Sequence, residues 1–246
     1  MSTSHTTKLV IIPAWNEAAT LPAVISEIRS AAPQWHILVV NDCSADETSQ
    51  LAHAAAVTVL DLPLNLGVGG AVRTGYHYAH KNGYEHVIQL DADGQHDPNE
   101  IHTLFAHATK TNADIVIGAR FAGVGDYAIQ GPRKYAMKLL AAVVSRITHT
   151  KLTDTTSGFR LINRRALAIW ANNYPAEYLG DTIGALIIAH QAGLHISQVP
   201  VAMRSRAGGV PSHNALESAI FLLRAFLALI AALPNLASKT PQLETT

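Results

Sequence analysis

The chain lacks most of the features that would set it apart from an ordinary globular protein. It has a single cysteine, Cys43, which excludes an intramolecular disulfide and a thiolate zinc cage and suits a reducing cytoplasm. It has no excess of either charge, with 18 Lys+Arg against 18 Asp+Glu and a pI near 7.2. A protein that grips nucleic acid by neutralising phosphates needs a basic excess, so that class is set aside. Long apolar runs are missing too. The longest, Ala225–Leu233, lies between Arg224 and Pro234 and is under half of the roughly 20 residues that span a bilayer. The opening stretch MSTSHTTKLV has one lysine and no apolar core, so it does not read as a signal peptide.

What remains is favourable to a large core. Apolar residues make up 48% of the 246 and charged ones 15%, against roughly 25% charged in an average soluble protein. Neither a repeat nor an interdomain linker is visible, and one α/β domain fits the length.

Period and punctuation predict alternating strands and helices through the first half. Lys8–Ile12, His36–Val40, Val57–Leu60, His86–Leu90 and Asp114–Ile117 read as strands. Between them, helices are expected from Thr20 to about Ala31, after Ser44 or Asp46, from Gly70 to about Asn82, and from Pro98. Gly83 sits where a left-handed cap would fall. Such alternation argues for a mostly parallel open sheet flanked by helices. Past residue 120 it loosens into a glycine-rich loop (Phe121–Pro132), a helix near Arg133–Thr148, the stretch Thr153–Asn163, a helix near Asp181–Ala192 and a strand Ile196–Met203. A last helix over about 214–233 and a polar tail complete the chain.

Ligands of open parallel sheets bind outside the carboxyl ends of the strands, and there the polar residues gather. Asn16 and Glu17 follow the first strand, Asp42 the second, Asn65 to Gly70 the third, Asp91 and Asp93 the fourth, and Arg120 the fifth. Asp91 and Asp93, two residues apart at a strand end, point to one side and can share a hard divalent cation through oxygen. Gln95 and His96 lie close enough to add a ligand or a supporting contact. A calcium-binding EF-hand loop would need Gly and Glu where His96 and His102 stand.

Gly67, Gly69 and Gly70 allow a ligand close to a helix start, where amides and dipole favour an anion. The dinucleotide fingerprint fails at Val72, and a P-loop fails at Tyr76. No GxSxG elbow, HExxH or zinc-deaminase signature occurs. Of 13 histidines, only His77 and His80 share a clear helical spacing, and ordinary surface or core roles account for them.

Taken together, these pieces resemble glycosyltransferase family 2, with its nucleotide-sugar-binding GT-A fold, and within it the polyprenyl-phosphate (dolichol-phosphate) mannosyl- and glucosyltransferases. The strings are IIPAWNEAATL (11–21), VVNDCSADET (39–48), NLGVGGAVRTG (65–75), QLDADGQHDP (89–98), GARF (118–121), DTTSGFRLINRRAL (154–167) and VPVAMRSRAGGVPSH (199–213). The resemblance implies a catalytic domain over 8–213, after a flexible start (1–7) and before an amphipathic helix (214–234) and a disordered tail (235–246).

It also implies roles. Pro13, Asn16 and Glu17 would line the nucleotide pocket, with Asn65, Gly69, Gly70 and Ala92 beside them, and Asp42 would hydrogen-bond the base. Asp91 and Asp93 would be the metal pair, with Gln95 a third ligand and Mg²⁺ or Mn²⁺ the ion. Arg120 and Arg133 would face phosphate, as would one of Arg204 and Arg206. The family's usual DDGS is Asn41-Asp42-Cys43-Ser44 here, and the membrane helices that many lipid-phosphate glucosyltransferases carry at their C-terminus are missing.

The expected activity is inverting, metal-dependent transfer of a hexose from a UDP- or GDP-sugar to polyprenyl phosphate at the cytoplasmic membrane face. Alternatives are transfer to a soluble or polymeric hydroxyl, or nucleotide-sugar binding without turnover. A hydroxyl acceptor would need a base, for which Asp154 is the first candidate and Asp181 the second. A phosphate acceptor is already ionised and needs cations such as Arg120 and Arg160 instead. Asp154 can equally serve a turn or cap, and Arg160 an internal ion pair. The helix 214–233 suits a membrane interface, a buried position, or a contact with a second copy or a membrane protein.

Overall fold

The computed structural model describes residues 7–120, 132–176 and 180–204, with the side chains of the helix that opens at Pro132 described from Met137 onward. The expected start 1–6, the loop 121–131, the helix 214–233, the tail 235–246 and Arg206 lie outside the described residues, and only the backbone of Arg133 is placed.

The first half alternates as expected: β1 (Lys8–Ala14), α1 (Leu21–Ala31), β2 (His36–Asn41), α2 (Thr48–Ala54), β3 (Thr58–Asp61), α3 (Gly67–Lys81), β4 (His86–Gln89), α4 (Glu100–Thr111) and β5 (Ile115–Ala119). Then come α5 (Pro132–Thr148), β6 (Arg160–Asn163), α6 (Arg164–Asn173), a π-helical turn (Gly180–Gly184), α7 (Ala185–Gln191) and β7 (Ile196–Pro200). The seven strands form one sheet in the order β3-β2-β1-β4-β6-β5-β7.

Strands covered on both faces are apolar without alternation, and β1 shows why the fold needs this. Leu9 and Ile11 pack into the core layer shared with α3, α6 and α7, while Val10 and Ile12 pack into the opposite layer with α1 and α4. Burying each such side chain is worth roughly 1.5–3 kcal/mol, so a polar substitution on either face of β1 strips one layer. α3 ends as its sequence predicts, with Gly83 at φ 74°.

Two elements depart from the sequence expectation. β6 was hidden within Thr153–Asn163. It runs antiparallel to both its neighbours, with Arg160 opposite Gln89 of β4 and Ile117 of β5. Reversal returns the turn Ser157–Phe159 to the carboxyl edge of the sheet. α6 follows at once, its N-terminus capped by the Asn163 side chain, which accepts from the Ala166 amide at 3.0 Å. Smaller shifts fall at element ends. Thr20 precedes α1 but makes no side-chain cap, because its hydroxyl donates to Glu17 Oε2 at 2.8 Å. β7 stops at Pro200, leaving Met203 in an isolated antiparallel bridge with His96.

Candidate active site

At the carboxyl edge a cleft of about 490 Å³ opens between three walls. The first wall is the end of β1 and the turn after it: Pro13, Ala14, Trp15 and Glu17. Asp42, Asn65, Gly67, Val68 and Gly69 make the second, and Asp91, Ala92 and Asp93 the third. Of the residues expected from the sequence, Pro13, Glu17, Asp42, Asn65, Gly69, Asp91, Ala92 and Asp93 meet here. Trp15, 48% exposed at the rim, was not singled out in advance, although it sits between Ala14 and Asn16 in a string already read as a pocket wall.

The walls are held by side chain to backbone hydrogen bonds. Asp42 is buried, and its Oδ1 accepts from the Leu66 amide at 2.7 Å. Burial pushes its carboxyl up, while hydrogen bonds from the Leu66 and Gly67 amides pull the other way. Asp42 thus anchors the start of α3, whose first turn faces the cleft. Asn16 takes a left-handed φ of 54° and joins the first two walls: its amide donates to Ser44 Oγ at 3.0 Å and its Oδ1 accepts from Ala45 N at 2.8 Å. It is not among the lining residues and braces them instead.

Gly69 permits a close helix approach. A Cβ there would sit 2.6 Å from the Ala176 carbonyl oxygen, and backbone cannot swing aside as a side chain can. Gly69→Ala is expected to cost about 1–3 kcal/mol as overpacking, a drop of several degrees in Tm. An unchanged melting curve would show that the segment around Ala176 does not rest on α3.

The acid loop after β4 is pre-organised from within. Asp93 Oδ1 accepts from the Gln95 amide at 3.0 Å, closing a tight turn, with Gly94 at φ 76°. His96 is buried beneath it, stacked on Phe159 at 4.9 Å between ring centroids. Its Nδ1 accepts from the Asp91 amide at 3.1 Å, which assigns the neutral ring's proton to Nε2, 3.8 Å from Asp91 Oδ2. The antiparallel β6 brings Gly158 against the same carboxylate: a Cβ there would meet both Asp91 oxygens at 3.2 Å.

These contacts bear on four of the residues read from the sequence. Asp154 does not offer an open carboxylate. It is 1% exposed, and Arg120 grips both oxygens, Nε to Oδ2 at 2.7 Å and Nη2 to Oδ1 at 2.8 Å, with the Arg120 amide adding a third bond at 3.1 Å. Burial alone would raise its carboxyl, but the hydrogen bonds and charge of Arg120 outweigh that and hold it below the usual carboxylate range. Arg120, expected to face phosphate, commits its fork to Asp154 and to Thr156 Oγ1 at 2.7 Å. Arg204, one of two arginines of which one was expected at phosphate, pairs with Glu27 at 2.6 Å and Asp97 at 3.0 Å outside the cleft. Arg160 is fully buried, and its guanidinium donates to the carbonyls of Ser157, Thr155, Asp181 and Thr182. It staples the turn before β6 to the π-helical turn. Gln95 and Gly70 do not line the cleft; Gly70 lies against Leu66.

The open, mostly parallel sheet with an acid-bearing cleft at its carboxyl edge is an architecture shared by the GT-A glycosyltransferases on which it superposes. The chain belongs to glycosyl transferase family 2, whose family model matches residues 9–170, and it is a glycosyltransferase. It is 34% identical over 166 residues to a polyprenol monophosphomannose synthase of Mycolicibacterium smegmatis, a match covering 65% of this chain and 62% of that protein. It is 31% identical over 208 residues to an undecaprenyl-phosphate mannosyltransferase of Micrococcus luteus, covering 82% of this chain and 85% of that one. Among solved structures, glucosyl-3-phosphoglycerate synthase of Mycobacterium tuberculosis with Mn²⁺, uridine diphosphate and phosphoglyceric acid superposes at a TM-score of 0.67. That structure shares 20% identity and covers 91% of this chain and 77% of its own, a likeness of fold.

Proposed function

We propose that the protein transfers a hexose, with inversion, from a UDP- or GDP-linked donor to polyprenyl phosphate, and that a divalent ion assists. The observation that carries the donor half is the placing of Asp91 and Asp93 across one cleft from Asp42 and the start of α3. Their donor set fits Mg²⁺ or Mn²⁺, ions that take a carboxylate or two and fill the rest of their shell with substrate phosphates and water. Bound there, the ion would neutralise charge growing on the nucleotide diphosphate as it leaves.

The chain's own residues do the rest. Trp15, Glu17 and Asp42 border the space for the nucleoside, and the first amides of α3 favour its phosphates. His96 braces the Asp91 backbone and the Gln95 amide orients the Asp93 carboxylate. An acceptor phosphate oxygen forms the new bond to the anomeric carbon as the bond to the diphosphate oxygen breaks, its electron pair leaving with the nucleotide.

The acceptor half is supported by Asp154. A hydroxyl acceptor would need a base, and the first candidate is bound on both oxygens. An ionised phosphate needs none. The two relatives above bear names that specify polyprenol or undecaprenyl phosphate, which supports the same acceptor. No helix among the described residues is long and apolar enough to cross a membrane; the reading places the meeting with the lipid at the cytoplasmic membrane face.

The test is transfer of labelled sugar from a UDP- and GDP-sugar panel into an organic-extractable product, with polyprenyl phosphate and Mg²⁺ or Mn²⁺, and EDTA as the blank. Label in the organic phase that disappears with EDTA is the expected result and names the donor. Transfer only to added hydroxyl acceptors would overturn the lipid reading.

Gly158 gives a second check on the metal pair. Gly158→Ala crowds the Asp91 carboxylate at 3.2 Å and the buried Gln89 amide at 3.1 Å, so Mn²⁺ affinity is expected to fall about tenfold with a smaller loss of Tm. Mn²⁺ titration followed by electron paramagnetic resonance reads the first, thermal unfolding the second. Unchanged affinity would mean that Asp91 does not hold the ion.

A further inference from the structure

We propose that Arg204 and Glu27 are positioning residues that fix the acid loop for its metal, an inference that rests on the metal-pair reading above. Arg204 reads from the sequence as one of two alternative phosphate ligands, with Arg206, and its contacts form a latch. Its amide donates to the Gln95 carbonyl at 2.9 Å. Next to it, Met203 forms an antiparallel bridge with His96, and the Ala202 amide donates to Glu100 Oε1 at 3.1 Å. The segment beyond β7 therefore lies along the second half of the acid loop, residue against residue. The guanidinium then fastens this pairing at its far end, to Asp97 of the loop and to Glu27 on α1.

The latch meets the loop at the two residues that brace its acids. Asp91 is fixed by the His96 ring and Asp93 by the Gln95 amide. Both supports come from residues 95 and 96, whose own backbone is steadied from outside by Met203 and Arg204. Loosening the outer pairing lets the inner supports drift, and with them the separation of the two carboxylates. The guanidinium and Glu27 are each about half exposed, 42% and 46%, and exposed ion pairs add little to global stability. Loss of the latch is therefore expected to register in metal binding rather than in melting.

The experiment uses the full chain and Mn²⁺ alone, following free Mn²⁺ by electron paramagnetic resonance, with Tm measured on the same samples. Arg204→Met is expected to weaken Mn²⁺ binding about tenfold, the low end of what lost outer contacts cost a metal site, with Tm nearly unchanged. Glu27→Gln, which touches neither loop nor cleft, should weaken it by a smaller factor, and Arg204→Lys should recover part of the loss. Wild-type Mn²⁺ affinity in Arg204→Met, or a loss that merely follows a falling Tm, would overturn the latch while leaving the metal pair standing. No Mn²⁺ binding in the unaltered chain would overturn both.

Discussion

Replacing Asp93 with asparagine is expected to lower sugar transfer by about a thousandfold, the equivalent of roughly 4 kcal/mol of transition-state stabilisation. The substitution isolates charge from shape. An asparagine Oδ1 can still accept from the Gln95 amide, as the Asp93 carboxylate does at 3.0 Å, so the turn of the acid loop survives. What goes is one of two anionic oxygen donors on the third wall of the cleft. Thermal stability should change little, because the turn that the Asp93 side chain closes is kept. Groups that act as one unit are not additive, so EDTA should take the unaltered enzyme to the same residual rate and add nothing further in Asp93→Asn. Assays with and without chelator, beside Mn²⁺ binding, check this. A variant that loses transfer but binds Mn²⁺ as before would place the ion elsewhere.

The parts of this site legible in the sequence are those set by local rules. A run such as Lys8–Ile12 predicts a buried strand from composition alone, and residues just past it must face the carboxyl edge. Glu17, Asp42, Asp91 and Asp93 were found that way. β6 escaped because four residues, Arg160–Asn163, carry too little pattern, and its place comes from pairing with Gln89 and Ile117 far away in the chain. His96 could be placed near the acids but not given a role, since that role depends on stacking against Phe159. The contacts of the arginines were illegible for one reason. A guanidinium near a predicted site suits phosphate chemically, while its actual partner can be remote: Glu27 lies 177 residues before Arg204, and Asp154 lies 34 after Arg120. Charge is visible in a sequence, but its partner is a property of the fold.

Asp154 offers the sharpest contest between two roles. If it is a general base, Asp154→Asn abolishes transfer, leaves stability nearly intact, and removes an ionisation from the acid side of the pH–rate profile. The geometry predicts otherwise. Asp154 is buried and Arg120, with a side chain only 18% exposed, loses its counter-charge when the carboxylate goes. Breaking a buried pair costs about 3–5 kcal/mol, and residual solvent contact of Arg120 places the cost near the lower end. For a chain of this size that is a fall in Tm of about 6–12 °C. The pH dependence has a definite sign. A carboxyl held below its ordinary value of 3.8 stabilises the folded state at pH above that value, and the contribution fades as pH falls through the depressed folded value. The Asp154 contribution should therefore be lost only below pH 3.8, while Asp154→Asn should already be weakened at neutral pH and flatter below pH 4. Replacing both partners with apolar residues, Arg120→Met with Asp154→Leu, should recover much of the stability, because the burial penalty of two charges goes with the pair. Transfer should stay low in that double variant, because the turn through Thr156 that the pair holds would be free to move. If instead Asp154→Asn melts like the unaltered chain and loses an acid limb from its rate profile, Asp154 is the base and a hydroxyl acceptor returns as the better reading.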